Sequence, residues 1–410
     1  MFTKNSNQLF TAMAIAVAIT FASCSKEANK TNQTIQQPVQ TETSLRNMIS
    51  ENGNNPDENM LSQESLSKGS QGGYVYTESN DASWNQILVY NQHSDGSLSW
   101  NSSVVSGGAG SGSGLGSQGA LVLDYQHQWL YAVNAGDNSI SSFWVHSDGS
   151  LTLAHTINSG GTKPISLSVW GNLLYVVNST SANICGFYIG ANGALSKING
   201  SWQPLSSSSA TPAQISFHPN GKILFITEKG TNKIDAFKLN ASGVAGAGNF
   251  NNSVGATPFG FNFAYNNNNY LVVSNAAGGA ANAGSCTSYS TDNWGSINAI
   301  NGTVPNYQSA PCWVATAHYG RFAFISNTAS NTISSYYISP FGAIYLVFFT
   351  IAKTDESPID ITVSGNNHFV YNINSTSHTI TEYQRSFFGI LNRIGKVNNV
   401  PAYASGLAAY

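Results

Sequence analysis

A single glutamate breaks a pattern that otherwise runs the length of this chain. Aromatic-rich segments read YVYTES (74–79), WLYAVN (129–134), LLYVVN (173–178), ILFITE (223–228), YLVVSN (270–275), FAFISN (322–327) and FVYNIN (369–374). Their closing residues are Ser79, Asn134, Asn178, Glu228, Asn275, Asn327 and Asn374. A small polar side chain suits the end of a strand, where it caps the turn that follows. Glu228 puts a longer, charged group there, and a carboxylate in that place is a candidate general acid or base. The alternative is an ion pair with Lys229 or Lys233, which would make it structural. Glu78 offers a carboxylate one residue earlier in the first copy, and Asp360 is the second acidic candidate.

The elements that must position these groups follow from the repeat. From the second copy onward the segments recur at intervals of 44 to 52 residues, the range of four-stranded propeller blades. The expected fold is all-β: a seven-bladed propeller of four-stranded antiparallel blades. The blades run approximately 73–103 with 403–410, 117–156, 164–200, 212–250, 258–305, 311–352 and 358–399. Inner strands begin at Pro164, Pro212, Pro258, Pro311 and Pro358, with Gln118 in the matching place of the second blade. Proline is tolerated there because a first strand position needs no N–H. The quoted segments are second strands. SISSFWV, NICGFYI, KIDAFKL, TISSYYI and TITEYQR are third strands with alternating polarity. Turns such as Asp148-Gly149 and Asn192-Gly193 then accept the positive φ that tight hairpins require. The first blade has no inner strand of its own. Ser405–Tyr410 is expected to supply it by pairing with residues 73–78, which closes the ring and removes exposed edges.

Up-and-down order puts the start of each inner strand and the end of each second strand on one face, the mouth face. The Asp-Gly turns fall on the opposite face, the turn face. Gln118, Ile165, Ala213-Gln214, Phe259, Cys312-Trp313 and Ile359-Asp360 are expected to line the mouth. Gln118, Lys163, Gln214, Phe259, Asn275, Trp313 and Asp360 are the candidate binding residues, by chemistry suited to a sugar or small ring compound. The competing account is packing of the propeller neck. The Gly-rich run Gly107–Gly116 precedes no helix and reads as a linker or lid. The histidines (His93, His127, His146, His155, His218, His318, His368 and His378) form no ligand-spaced pair, so no metal site is expected. No phosphate loop or other cofactor motif is present, and no cofactor is expected.

Charged residues make up 9% of the chain and its net charge is −3, which gives no basic footprint for nucleic acid. Lys4 precedes an apolar run from Leu9 to Ala22, too short to span a bilayer and fitting a signal peptide. The run ends Phe21-Ala22-Ser23-Cys24, which resembles a bacterial lipobox, with residues 1–23 as the signal and Cys24 as the lipidation site. Residues 25–72 hold no Phe, Tyr or Trp, and such a stretch reads as a flexible tether. Acyl chains contribute about 0.8 kcal/mol per buried CH₂, so a lipidated Cys24 would anchor the chain to a membrane. The expected location is the bacterial cell envelope. The remaining cysteines are Cys185, Cys286 and Cys312. A Cys286–Cys312 bridge is possible on an export route, and buried free thiols fit a large core better.

Gln214–Phe237, Thr257–Phe263 and Cys312–Tyr337 resemble the seven-bladed propeller lactonases. This family includes propeller-type 6-phosphogluconolactonases and 3-carboxymuconate lactonizing enzymes. The strongest stretch is Pro212-Ala213-Gln214-Ile215-Ser216-Phe217-His218-Pro219-Asn220-Gly221, running on to Thr227-Glu228. The Tyr-Val-Val-Asn segments are also similar to surface-layer YVTN propellers. The lactonase resemblance implies a His, two Arg and a Glu around the mouth. Glu228 matches the Glu, but the other places fall on Ala213, near Ile165 and near Asn275. The arginines Arg46, Arg321, Arg385 and Arg393 all lie elsewhere, and only Lys163 and Lys353 stand in loops on the mouth side. A phosphate or tricarboxylate would lack its bidentate clamp.

Three readings follow. The chain is a propeller that binds a neutral small ligand, glycan or protein at the Trp313 face; or a lactonase-like hydrolase of a neutral lactone or sugar using Glu228; or a structural surface module. A mouth filled by side chains points to the third.

Overall fold

The computed structural model describes residues 72–264, 269–317 and 321–410. The signal segment, Cys24 and nearly all of the tether lie outside these residues, as does His318. The described chain forms seven antiparallel sheets, and their inner strands touch one another in sequence around a closed circle. Blade 4 shows the unit: Pro212–Phe217, Ile223–Glu228, Lys233–Leu239 and Ala245–Asn252, from hub to rim. Blades 5, 6 and 7 repeat it with inner strands Pro258–Phe263, Pro311–Thr316 and Pro358–Val363.

The aromatic second strands are explained by their side chains. Tyr76 donates its hydroxyl to the Gly149 carbonyl at 3.0 Å, Tyr175 to Gly243 at 2.7 Å and Tyr371 to Gly96 at 2.8 Å. Each tyrosine reaches the hairpin turn of the next blade. A buried ring thus fills the gap between sheets, and its polar tip finds a backbone partner.

Ring closure occurs as expected. Ser405–Ala409 pairs antiparallel with Tyr74–Glu78, matching Val75 with Ala409 and Thr77 with Leu407. Beyond these strands the Tyr74 N–H donates to the Tyr410 carbonyl at 3.1 Å.

Two blades depart from the expected layout. The inner strand of blade 2 is only Leu121–Leu123, because Gln118 and Gly119 turn away from it. The Gln118 N–H instead donates to the Ala213 carbonyl of blade 4 at 3.0 Å. The outer strand of blade 3 is split into Leu195–Lys197 and Gln203–Pro204, past the expected limit at residue 200. The Ser201 hydroxyl fills the break, accepting the Gly186 N–H at 3.0 Å and donating to the Ile198 carbonyl at 2.7 Å. Cys185 and Cys286 are buried free thiols, so no bridge joins Cys286 to Cys312.

Deleting residues 403–410 removes the inner strand of blade 1 and should lower the melting temperature by on the order of 10 °C or more. A thermal melt unchanged by the deletion would contradict closure.

Candidate functional site

The closing residue of each second strand is a buried junction rather than an exposed cap. In blade 2, Asn134 donates to Ser139 at 3.0 Å and Ser141 at 2.8 Å. Asn275, Asn327 and Asn374 make the same pair of bonds to Ser285 and Thr287, Thr332 and Ser334, and Thr379 and Thr381. These partners are the first and third residues of the third strand. The Asn carbonyl oxygen faces the loop arriving from the preceding blade. It accepts from Ser106 at 2.6 Å, Ser159 at 2.7 Å and Asn306 at 2.9 Å in blades 2, 3 and 6. In blades 2 and 6 one amide therefore ties two strands and an incoming loop, whereas the Asn275 and Asn374 oxygens are buried without a hydrogen-bond partner.

Blade 4 uses the same junction with different chemistry. Glu228 is fully buried. It accepts the Ser206 N–H at 2.9 Å and the hydroxyls of Ser206 and Thr231. Its neighbour on the third strand, where blades 2, 5, 6 and 7 carry Ser or Thr, is Asp235. That carboxyl is also fully buried. Burial, then the adjoining Glu228, push it up to about 10. Two carboxyls at one buried site share a proton because both cannot ionise there. Asp235 thus stands beside Glu228 as a protonated carboxyl. Lys229 and Lys233 do not serve as the partner: Lys233 donates to Asn252 at 2.9 Å and Lys229 to the Gly116 carbonyl at 2.5 Å. With its oxygens committed inside the blade, Glu228 has no route to a substrate.

The mouth is filled. The Gln118 side chain crosses the hub to blade 6, donating to the Val314 carbonyl at 2.7 Å and accepting its N–H at 3.0 Å. Trp313 returns the crossing, its Nε1–H donating to the Ser117 carbonyl at 2.8 Å. Gly260 makes room, since a Cβ there would collide with the Gln118 oxygen. Phe259 is buried against Trp313 with ring centroids 4.9 Å apart. Leu115 packs into the core of blades 2–4, so the Gly-rich segment acts as a lid over the hub. Lys229, which the sequence suggested only as a partner for Glu228, holds that lid and sits 4.8 Å over the Phe259 ring. Burial, and then the ammonium of Lys163, pull Lys229 down to about 8.

The other candidates separate accordingly. Gln214 is spent on a neighbour, donating to the Phe261 carbonyl at 3.0 Å and accepting its N–H at 2.7 Å. Asn275 is a strand junction, Lys163 is half-buried beside the lid, and Ile165 and Ala213 are buried. Asp360 lies under this plug, whose Gln118 and Val314 line the same cavity. It lines a channel of about 470 Å³ with Asn262, Thr316, Asp124, Tyr125 and His127. Asp124, Tyr125 and His127 belong to the bend joining inner and second strands, so the channel opens on the turn face. Among the described residues, no group of three or more His, Cys, Asp or Glu is placed to hold a metal.

Comparison with known proteins agrees with this geometry. Residues 69–207 match the family described as lactonase, seven-bladed beta-propeller. A Bacteroides uniformis structure whose 6-phosphogluconolactonase assignment is provisional superposes with a TM-score of 0.66 at 18% identity, covering 82% of this chain and 99% of that one. A periplasmic gluconolactonase of Pseudomonas aeruginosa gives a TM-score of 0.64 at 16% identity, over 83% and 99%. A Lactobacillus plantarum protein gives 0.65 at 17% identity, over 82% and 99%. At such identity these structures share the fold with this chain. No curated protein matches it.

The Glu228–Asp235 pair makes a pH prediction with a definite sign. A carboxyl raised from 3.8 to about 10 by folding holds a proton that the unfolded chain releases, so stability falls as pH rises between those values. The double variant Glu228→Asn with Asp235→Ser restores the Asn–Ser junction of blade 2. Urea midpoints at pH 5 and pH 9 should differ less in this variant than in the parent. An equal or larger difference would show that the pair carries no such proton.

Proposed function

We infer that this chain, which belongs to the seven-bladed β-propeller lactonase family through its match over residues 69–207, binds a neutral small ligand or glycan without hydrolysing it. The observation that carries this reading is the state of Glu228: buried, saturated by Ser206 and Thr231, and paired with Asp235. A general base needs its proton acceptor within reach of the attacking water, and this carboxylate has no such access. The other places of the family's mouth-side set fall on Ala213, near Ile165 and near Asn275, which offer no charge to an anionic substrate.

The filled mouth counts against a glycan site at Trp313 and, taken alone, favours a structural module. The open channel on the turn face restores a binding role, since a concave, partly polar chamber of this size is where small ligands are held. The propeller is further proposed to be an envelope lipoprotein tethered through Cys24.

Purified protein and a Glu228→Gln variant, assayed against aldonolactones by the acid released, should both give background rates. Turnover that is present in the parent and lost in the variant would overturn the reading. Labelling of cells with an alkyne-bearing palmitate should tag the protein and should fail in a Cys24→Ala variant. Equal labelling of the two would exclude the anchor.

A further inference from the structure

The walls of the channel have one unmet polar need. Among the described residues that line it, only Asp360 carries a buried side-chain oxygen without a hydrogen-bond partner, Oδ2. The residue is 4% exposed. Its Oδ1 accepts the Ile361 N–H at 2.9 Å, and the Leu407 amide also lies close enough to act on the carboxyl. An unsatisfied buried acceptor costs roughly 1–3 kcal/mol, so a site that retains one invites an explanation.

The neighbouring inner strands show what this carboxyl does not do. Gln118 and Gln214 each use both ends of an amide to grip the backbone N–H and C=O of another inner strand. Asp360 is third in its strand, as Gln214 is, but it is itself the unpaired bulge residue, whereas Gln214 follows a bulge and is paired with Thr227. It is shorter by a methylene and lacks the NH₂, so it cannot close the two-point grip. Its backbone is also held at φ +65°, a conformation uncommon for a side-chain-bearing residue and costing roughly 1–3 kcal/mol.

We propose that the channel is the ligand site, entered from the turn face, and that Asp360 Oδ2 receives a hydroxyl of a neutral sugar or sugar lactone at its inner end. This assignment rests on the binding reading above and names its site. The lining has no lysine or arginine and contains two acids, Asp124 and Asp360, which disfavours phosphorylated or carboxylated ligands. Asn262 and Thr316 supply further polar groups on the wall. At the rim Tyr125 is 88% exposed, an aromatic face against which a sugar ring can stack. A volume of about 470 Å³ falls within the range of small-molecule sites, roughly 300–1,000 Å³. Burial pushes the Asp360 carboxyl up to about 7, against the pull of the Ile361 and Leu407 amides. Either protonation state can bond an O–H, so the site does not depend on ionisation.

Isothermal titration of the whole protein with D-galactono-1,4-lactone, methyl β-D-glucoside, N-acetylglucosamine and cellobiose tests the assignment. At least one probe should bind. Asp360→Gly suits the positive φ and removes the carboxyl, so it should fold normally and weaken that probe at least tenfold. Tyr125→Ala, an exposed change, should weaken it severalfold with an unchanged melt. Trp84→Ala, on the mouth face, should leave it within twofold. Binding unaffected by both channel variants would overturn the channel assignment while leaving the binding reading intact. No binding of any probe at millimolar concentration would overturn both.

Discussion

Closure of the ring by Ser405–Ala409 against Tyr74–Glu78 is the constraint from which the other features descend. A blade buries one sheet face on each neighbour, so seven of them leave no free edge only when the circle is complete. Completion also fixes a void at the hub, and each end of that void must be filled or used. This chain fills one end. Gln118 and Trp313 cross between blades 2 and 6, and the Gly-rich segment is drawn in over them. The other end stays open, with Asp360 inside it.

The strand-end junctions show how a fold can absorb a residue that looks catalytic. Each junction sits where a second strand, a third strand and an incoming loop converge, and burial there demands matched donors and acceptors. Asn meets the donor half of the demand against Ser or Thr in blades 2, 5, 6 and 7. Glu228 meets it through Ser206 and Thr231, with the protonated Asp235 carboxyl beside it. Where Asn bonds the first and third residues of the third strand, Glu228 bonds Ser206 and Thr231 instead. A charged residue in a family's catalytic place is therefore no evidence of catalysis until its oxygens are followed to their partners.

Much of this was legible in the sequence, and the limits were physical. The repeat, the prolines opening the inner strands and the C-terminal partner of Tyr74–Glu78 all follow from local pattern, and the structure has them. The role of Glu228 was half legible. The third strands SISSFWV, TISSYYI, TITEYQR and KIDAFKL, laid side by side, put Asp235 where the others have Ser or Thr; that correlated change was the signal, and reading Glu228 alone missed it. The filled mouth was not legible, because Gln118 and Val314 meet across the hub without any local pattern linking them. Asp360 was visible as an acid near the inner-strand start. Its facing the turn-face channel depends on a bulge and a positive φ that composition does not encode.

A crystal of the protein soaked in a high concentration of D-galactono-1,4-lactone bears most directly on the claim that the fold has consumed the mouth and left the channel. The account predicts density for the intact lactone in the channel, with a hydroxyl oxygen at hydrogen-bond distance from Asp360 Oδ2. Density beside Glu228 on the mouth face, with Gln118 and Trp313 displaced, would contradict it.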